Sequence, residues 1–297
     1  MYKIITKLRC ELGEGLLWDH INRRLLLTDI TKQKLISVET DSETYEFWEM
    51  PSQIGWVLLS NQPNNYYVGL ENGIGLFNKK SMDGITVING NFPNKMGCRL
   101  NDACVDALGR IWYGSMNYIS ETANDGMLAS FSNEAGLRIH DEGFMITNGP
   151  LISPDSKYLL LNDSARRIIY KYDFSLIDGN VSNRRQFIKF DSNGGFPDGM
   201  CFDSNENLWL AMWGAGKVLK INRSGDILKE FNIDTPYITN VCFGGVNLDR
   251  IFVSSAAMKI SKKNSKVNSN SGSLFELKNH KSIGLETYKV QENICLI

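Results

Sequence analysis

Six residues of this 297-residue chain, Glu14, Gly55, Asn101, Asn148, Asp198 and Thr239, occupy the same place in six similar segments, each five residues before a turn-opening position. Five of them carry a side-chain oxygen. Glu14 and Asp198 offer carboxylates and Asn148 an amide oxygen, with Asn101 as a candidate fourth donor. Such hard oxygen donors suit Ca²⁺, Mg²⁺ or Mn²⁺. Zn²⁺ also accepts oxygen ligands, but the three histidines, His20, His140 and His280, are too dispersed for a histidine-rich zinc centre. Any one of these residues could instead be a turn residue or a solvated side chain, and Asn148-Gly149 and Asp198-Gly199 are ordinary turn dipeptides. Glu14 differs, because Gly13 and Gly15 on either side allow the close backbone approach that turns a side chain inward.

Bringing these positions together requires a repeated element. The segments GEGLLWDHINRRLLLTD, GWVLLSNQPNNYYVGL, NDACVDALGRIWYGSM, NGPLISPDSKYLLLND, DGMCFDSNENLWLAMW and TNVCFGGVNLDRIFVSS each read as an apolar run, a polar turn and a second apolar run. This is a β-hairpin pattern, with turns opened by Asp19, Ser60, Asp106, Ser153, Asp203 and Gly244. The aligned positions are 41, 46, 47, 50 and 41 residues apart, the period of four-stranded propeller blades. Stretches such as LISVETDSETYEFWEM and MLASFSNEAGLRIHDE supply outer strands, and no long segment keeps a helical period. The expected fold is all-β: one six-bladed β-propeller domain over residues 1–297, with the aligned residues at one mouth of its channel. YKIITKLRC and SLFELKNHKSIGLETYKV are expected to pair in the last blade and close the ring. Ser261 to Gly272 reads as a polar loop within that blade. The dipeptide Trp18-Asp19 occurs once, which disfavours a WD-repeat scaffold.

With 42% hydrophobic residues the chain can bury a large core. Its 32 basic and 33 acidic residues nearly cancel, so no broad field attracts nucleic acid or an anionic membrane. A small or neutral ligand is expected, with no protein partner implied. The first residues lack a signal-peptide core and no run approaches a membrane span, which points to the cytoplasm. The six cysteines, Cys10, Cys98, Cys104, Cys201, Cys242 and Cys295, form no CxxC pair and read as reduced, mostly core residues. There is no GxSxG elbow, GEGLLW lacks the third glycine of a dinucleotide fingerprint, and Gly214-Ala215-Gly216-Lys217 lacks the rest of a phosphate loop.

From about Cys10 to Ala257 the chain resembles the senescence marker protein, gluconolactonase and regucalcin family. The motifs are LGEGLLWD, RLNDACVDALGRIWYGSM, ITNGPLISPDSKYLLLND, FPDGMCFDSNENLWLAMWGAGKV and TNVCFGGVNLDRIFVSSA, in the family's order. The resemblance implies one divalent metal held by Glu14, Asn148 and Asp198, with Asp198 also the base. It further implies that Arg99, Asn101 and a glutamate after the GSM segment contact sugar hydroxyls. Glu121 is the nearest such glutamate, about two residues later than the family spacing, and Leu16 replaces the usual proline. The implied activity is hydrolysis of a small sugar lactone. Two other readings stay open: a calcium-binding regulatory propeller without turnover, and a propeller esterase or phosphotriesterase.

Overall fold

A computed structural model of the chain describes residues 1–81, 84–90, 92, 95–258 and 269–291. All regular elements among them are strands, arranged as six four-stranded antiparallel sheets. Blade I comprises residues 13–49, blade II 54–90, blade III 98–144, blade IV 147–189 and blade V 196–232. Blade VI takes Ile238–Gly244, Arg250–Ser255 and Phe275–Leu277, and its outer strand is Tyr2–Ile4 from the chain's other end. The register runs Tyr2 opposite Leu277, Lys3 opposite Glu276 and Ile4 opposite Phe275, so the ring closes with paired strands as expected. The architecture is a six-bladed β-propeller.

The hairpin turns form for the local reason their sequence suggests. Asp19 accepts the backbone N–H of Ile21 and Asn22 at 3.0 and 2.9 Å, and Asp203 does the same for Asn205 and Asn207. Ser60 and Ser153 use their hydroxyls on Gln62 and Lys157. In blades III and V the turn aspartate has a second task. Asp106 accepts the Trp112 indole N–H and Asp203 that of Trp209, which lets a large ring be buried without losing its donor. Aromatic side chains then glue neighbouring blades, as where Trp18 stacks on Phe252 with centroids 5.9 Å apart, and where Trp112 meets Phe174 edge-on.

Blades I, II and III approach so closely at the channel that blade II carries glycine at the aligned position. A Cβ on Gly55 would lie 2.4 Å from the carbonyl oxygen of Leu100. No side chain fits there.

The C-terminal stretch departs from expectation. Only Phe275–Leu277 joins the last blade. Residues 279–291 instead cross the far face of the propeller. Ser204 N–H donates to Ile283 O, Gly284 N–H to Leu248 O, Val290 N–H to Leu59 O and Gln291 N–H to Gly109 O, touching blades V, VI, II and III. Leu285 and Thr287 form the floor of a channel cavity of about 130 Å³. This strap crosses the lower end of the channel. Of the loop expected at Ser261 to Gly272, residues 261–268 lie outside the described residues; Gly272 accepts the Cys10 N–H at 2.8 Å. Cys295 also lies outside them, while Cys10, Cys98, Cys104, Cys201 and Cys242 are free thiols.

Gly55→Ala is expected to cost roughly 1–3 kcal/mol of stability, because backbone must move to admit the methyl group. Gly90→Ala, where the nearest atom is 3.4 Å from the new Cβ, is expected to cost nothing measurable. Urea unfolding of both variants checks the contrast.

Candidate active site

Every inner strand carries one extra residue at the same step. Between Glu14 and Leu17, Ile54 and Trp56, Leu100 and Ala103, Asn148 and Leu151, Pro197 and Met200, and Ile238 and Val241, the register to the partner strand slips by one. A bulge of this kind bends the strand and re-aims its side chains. Gly15 supplies the left-handed conformation such a bend needs, with φ of 56°. The six aligned residues therefore meet at the upper mouth, where the inner strands begin.

Glu14, Asn148 and Asp198 are 8, 5 and 6% exposed, which separates them from solvated turn residues. The sequence places Asn101 beside them, and its amide is already engaged. Its Nδ2 donates to Thr147 O at 2.6 Å and to Asn148 Oδ1 at 2.9 Å, while its Oδ1 accepts from Arg99 Nη1. Asn148 Nδ2 donates to Ser164 Oγ at 2.8 Å, which fixes its Oδ1 as the end that faces Asn101. Ser164 Oγ donates on to Pro197 O and Asn162 Nδ2 to Asp198 O, each at 2.6 Å, tying blade IV to the Asp198 strand.

Arg99 is buried and its Nε has no partner. Burial pulls its pKa down to about 10, opposed by the charges of Glu14, Glu121, Asp198 and Tyr118, so it remains a cation at neutral pH. Glu121 itself is exposed on the rim, in the connection between Asn117 and Gly126, and does not join the buried group.

Two residues that spacing did not single out complete the site. Asp102 and Asn240 stand one step after the aligned position in blades III and VI, 9 and 5% exposed. Asp102 accepts the N–H of Ala103 at 2.8 Å and of Gly149 at 2.9 Å; Asn240 donates to Glu14 Oε2 at 3.4 Å. The available signal was the polar pair in RLNDAC and the asparagine in ITNVC, but an alignment that takes one position per blade passes over both.

Three carboxylates, Glu14, Asp102 and Asp198, thus share a buried mouth with one guanidinium. Burial pushes the Asp102 carboxyl up to about 7. Burial first, then the charge of Asp102, raises Glu14, and burial with the charges of Glu14 and Asp102 raises Asp198 well above the usual carboxylate range. When all are ionised, three negative charges against one positive leave two uncompensated. Asp198 Oδ1 is buried without a hydrogen-bond partner. Among the described residues no cluster of three or more His, Cys, Asp or Glu suited to a metal occurs. The donor set that fits a cation is mixed: the carboxylates of Glu14 and Asp198, the latter with its Oδ1 unpartnered, and the amide oxygen of Asn148.

A model of the SMP-30/gluconolactonase/LRE-like region matches residues 12–257. The chain belongs to this family. It is 28% identical to the 6-deoxy-6-sulfogluconolactonase of Pseudomonas putida over 86% of each chain. It is also 28% identical to pentonolactonase XacC of Haloferax volcanii, over 83% of this chain and 82% of that one. The fold superposes on that of the calcium-binding protein regucalcin from Agrobacterium tumefaciens with a TM-score of 0.91 at 18% identity, covering 98% of both chains. Sugar lactone hydrolysis is thus represented among relatives that align over most of this propeller. No helix among the described residues is long and apolar enough to cross a membrane.

Among the described residues Arg99 is the one buried cation facing these carboxylates, and Arg99→Leu removes it. In chelator the variant is expected to lose roughly 1–3 kcal/mol of stability. Added Ca²⁺ should narrow the difference from wild type, which paired thermal melts with and without Ca²⁺ will measure.

Proposed function

We propose that this chain is a divalent-metal-dependent lactonase that opens a small sugar lactone, working as one propeller domain over its full length. The observation that carries the reading is the buried, unpartnered Oδ1 of Asp198 beside Glu14 and Asn148 at the mouth of a lactonase-family propeller. Glu14, Asn148 and Asp198 would hold the ion. Ca²⁺ suits this oxygen set best, with Mg²⁺, Mn²⁺ and Zn²⁺ as candidates.

Lactone hydrolysis requires a water oxygen to bond to the ring carbonyl carbon, the ring C–O bond to break, and a proton to travel from the water to the departing alkoxide. A bound divalent cation supplies Lewis acidity for this chemistry. Asp198 would accept the water proton on the carboxylate oxygen not engaged by the ion and can return it to the ring oxygen. Arg99 presents a buried Nε–H with no protein acceptor, able to donate to a substrate oxygen as negative charge develops. Asn101 has both amide hydrogens committed, so its contribution is to hold Arg99 and Asn148 in place. Glu121, on the exposed rim, is the residue that could meet outer sugar hydroxyls. Substrate and water would arrive through the upper mouth, where the proposed ligands lie.

The same oxygen donors would serve a calcium-binding propeller without turnover. A panel of aldonolactones assayed after chelation and readdition of each metal separates the two, since only the enzyme reading predicts turnover.

Chelation is expected to abolish lactone hydrolysis and one divalent ion per chain to restore it, checked by elemental analysis alongside the assay. Asp198→Asn keeps an oxygen for the metal but removes the base. At saturating cation its kcat is expected to fall by about 10²–10⁴, the usual contribution of a general base. Near-normal kcat in the folded, loaded variant would overturn Asp198 as the base.

A further inference from the structure

Asp102 and Asn240 occupy the same step of the repeat in blades III and VI, which face each other across a ring of six. In blades I, IV and V that step is glycine (Gly15, Gly149, Gly199), and in blade II it is Trp56. Two opposed polar side chains are therefore buried one layer below the proposed ligands, at the roof of the channel cavity. Each is tied to a different ligand. Asp102 accepts the N–H of Gly149, the residue that follows Asn148, and so fixes the peptide that carries that amide. Asn240 lies flat against blade V, where a Cβ on Gly199 would come within 2.3 Å of its Cγ, and it donates to Glu14 Oε2. Its own Oδ1 accepts the Val241 N–H at 2.8 Å, which fixes which end of the amide faces Glu14. Neither side chain has rotational freedom left.

The geometry points to Asp102 and Asn240 as the positioning pair of the cation site: Asp102 holds the Asn148 segment and supplies the third negative charge, and Asn240 orients Glu14, without either touching substrate. The inference rests on the cation-site reading above. It assigns part of the affinity for the ion to two residues outside the ligand set, as outer hydrogen-bond partners of metal ligands commonly do. Glycine at the matching step of blade V is part of the same device, since any side chain there would displace Asn240.

The test is calorimetric titration of the full chain, freed of metal, with Ca²⁺ for wild type, Asp102→Asn and Asn240→Leu, both close in shape to the originals. Wild type is expected to bind one ion. Each variant should bind about 10–100-fold more weakly. A purely structural role predicts the opposite pattern, with melting in chelator lowered and the affinity of the folded protein unchanged. Asp102→Asn keeps one accepting oxygen for two N–H donors, so its melting in chelator sets that loss against the relief of one crowded charge, and its Ca²⁺ affinity is the deciding readout. Wild-type affinity in both variants overturns the positioning role while leaving the lactonase reading intact. Absence of any binding by wild type overturns both. If one variant fails to fold, the affinity of the other still decides the question for its own residue.

Discussion

The site depends on one backbone irregularity made six times. Without the extra residue in each inner strand, strict alternation would fix which side chains face the channel, and the polar residues would sit in the ladder between blades. The bulge breaks that alternation at one height around the ring. Backbone groups freed from the ladder must then find partners. They find them in the next blade: Thr28 on Gly55 O, Asn101 on Thr147 O, Asp102 on Gly149 N–H, Asn162 on Asp198 O, and Thr239 on Gly13 O. The irregularity that aims the site also stitches the blades together, so building the mouth and closing the ring are one structural act.

This coupling explains how several carboxylates can persist in a buried place. Each is separately unfavourable there, and their mutual repulsion makes it worse. They are held by strands whose outer portions are anchored by aromatic contacts and by the closing strand pair, far from the mouth. The frame thereby keeps three carboxyl groups close together that a chain without it would separate by moving, and their raised pKa values are the result. The strap adds to this frame by tying blades II, III, V and VI together across the lower face.

Much of this was legible in the sequence because it is local. Hairpin turns are opened by residues that bond their own backbone, and those residues recur at a fixed spacing, so blade number, turn positions and the aligned oxygens could all be read. Asp102 and Asn240 could not. Their burial arises from the bulge, which brings a second residue of the same strand inward, and nothing in a hydrophobic pattern marks where a strand gains a residue. The tail misled for a related reason: LKNHKSIGLETYKV alternates like a strand, yet after Leu277 the fourth place in the sheet is already taken by Tyr2–Ile4. With no edge left to pair with, the chain turns across the lower face. Glu121 sits in a connection whose length sequence spacing cannot convert into reach, and it lies at the rim rather than among the buried groups.

The asymmetry of the ring has a chemical meaning. Charge enters from blades I, III and V, through Glu14, Arg99, Asp102 and Asp198, while blade II contributes a glycine and blade VI a threonine at the aligned step. Carboxylates in alternate blades are as far apart as a small ring allows, which limits repulsion in the empty mouth yet leaves them converging on one point. Amides fill the intervening places in blades IV and VI and hold the carboxylates and their strands without adding charge. A ring with acids in adjacent blades would bring like charges closer, and one with acids in a single blade could not surround an ion. The alternation of acid and amide therefore keeps like charges apart around the ring while aiming all three acids at one mouth.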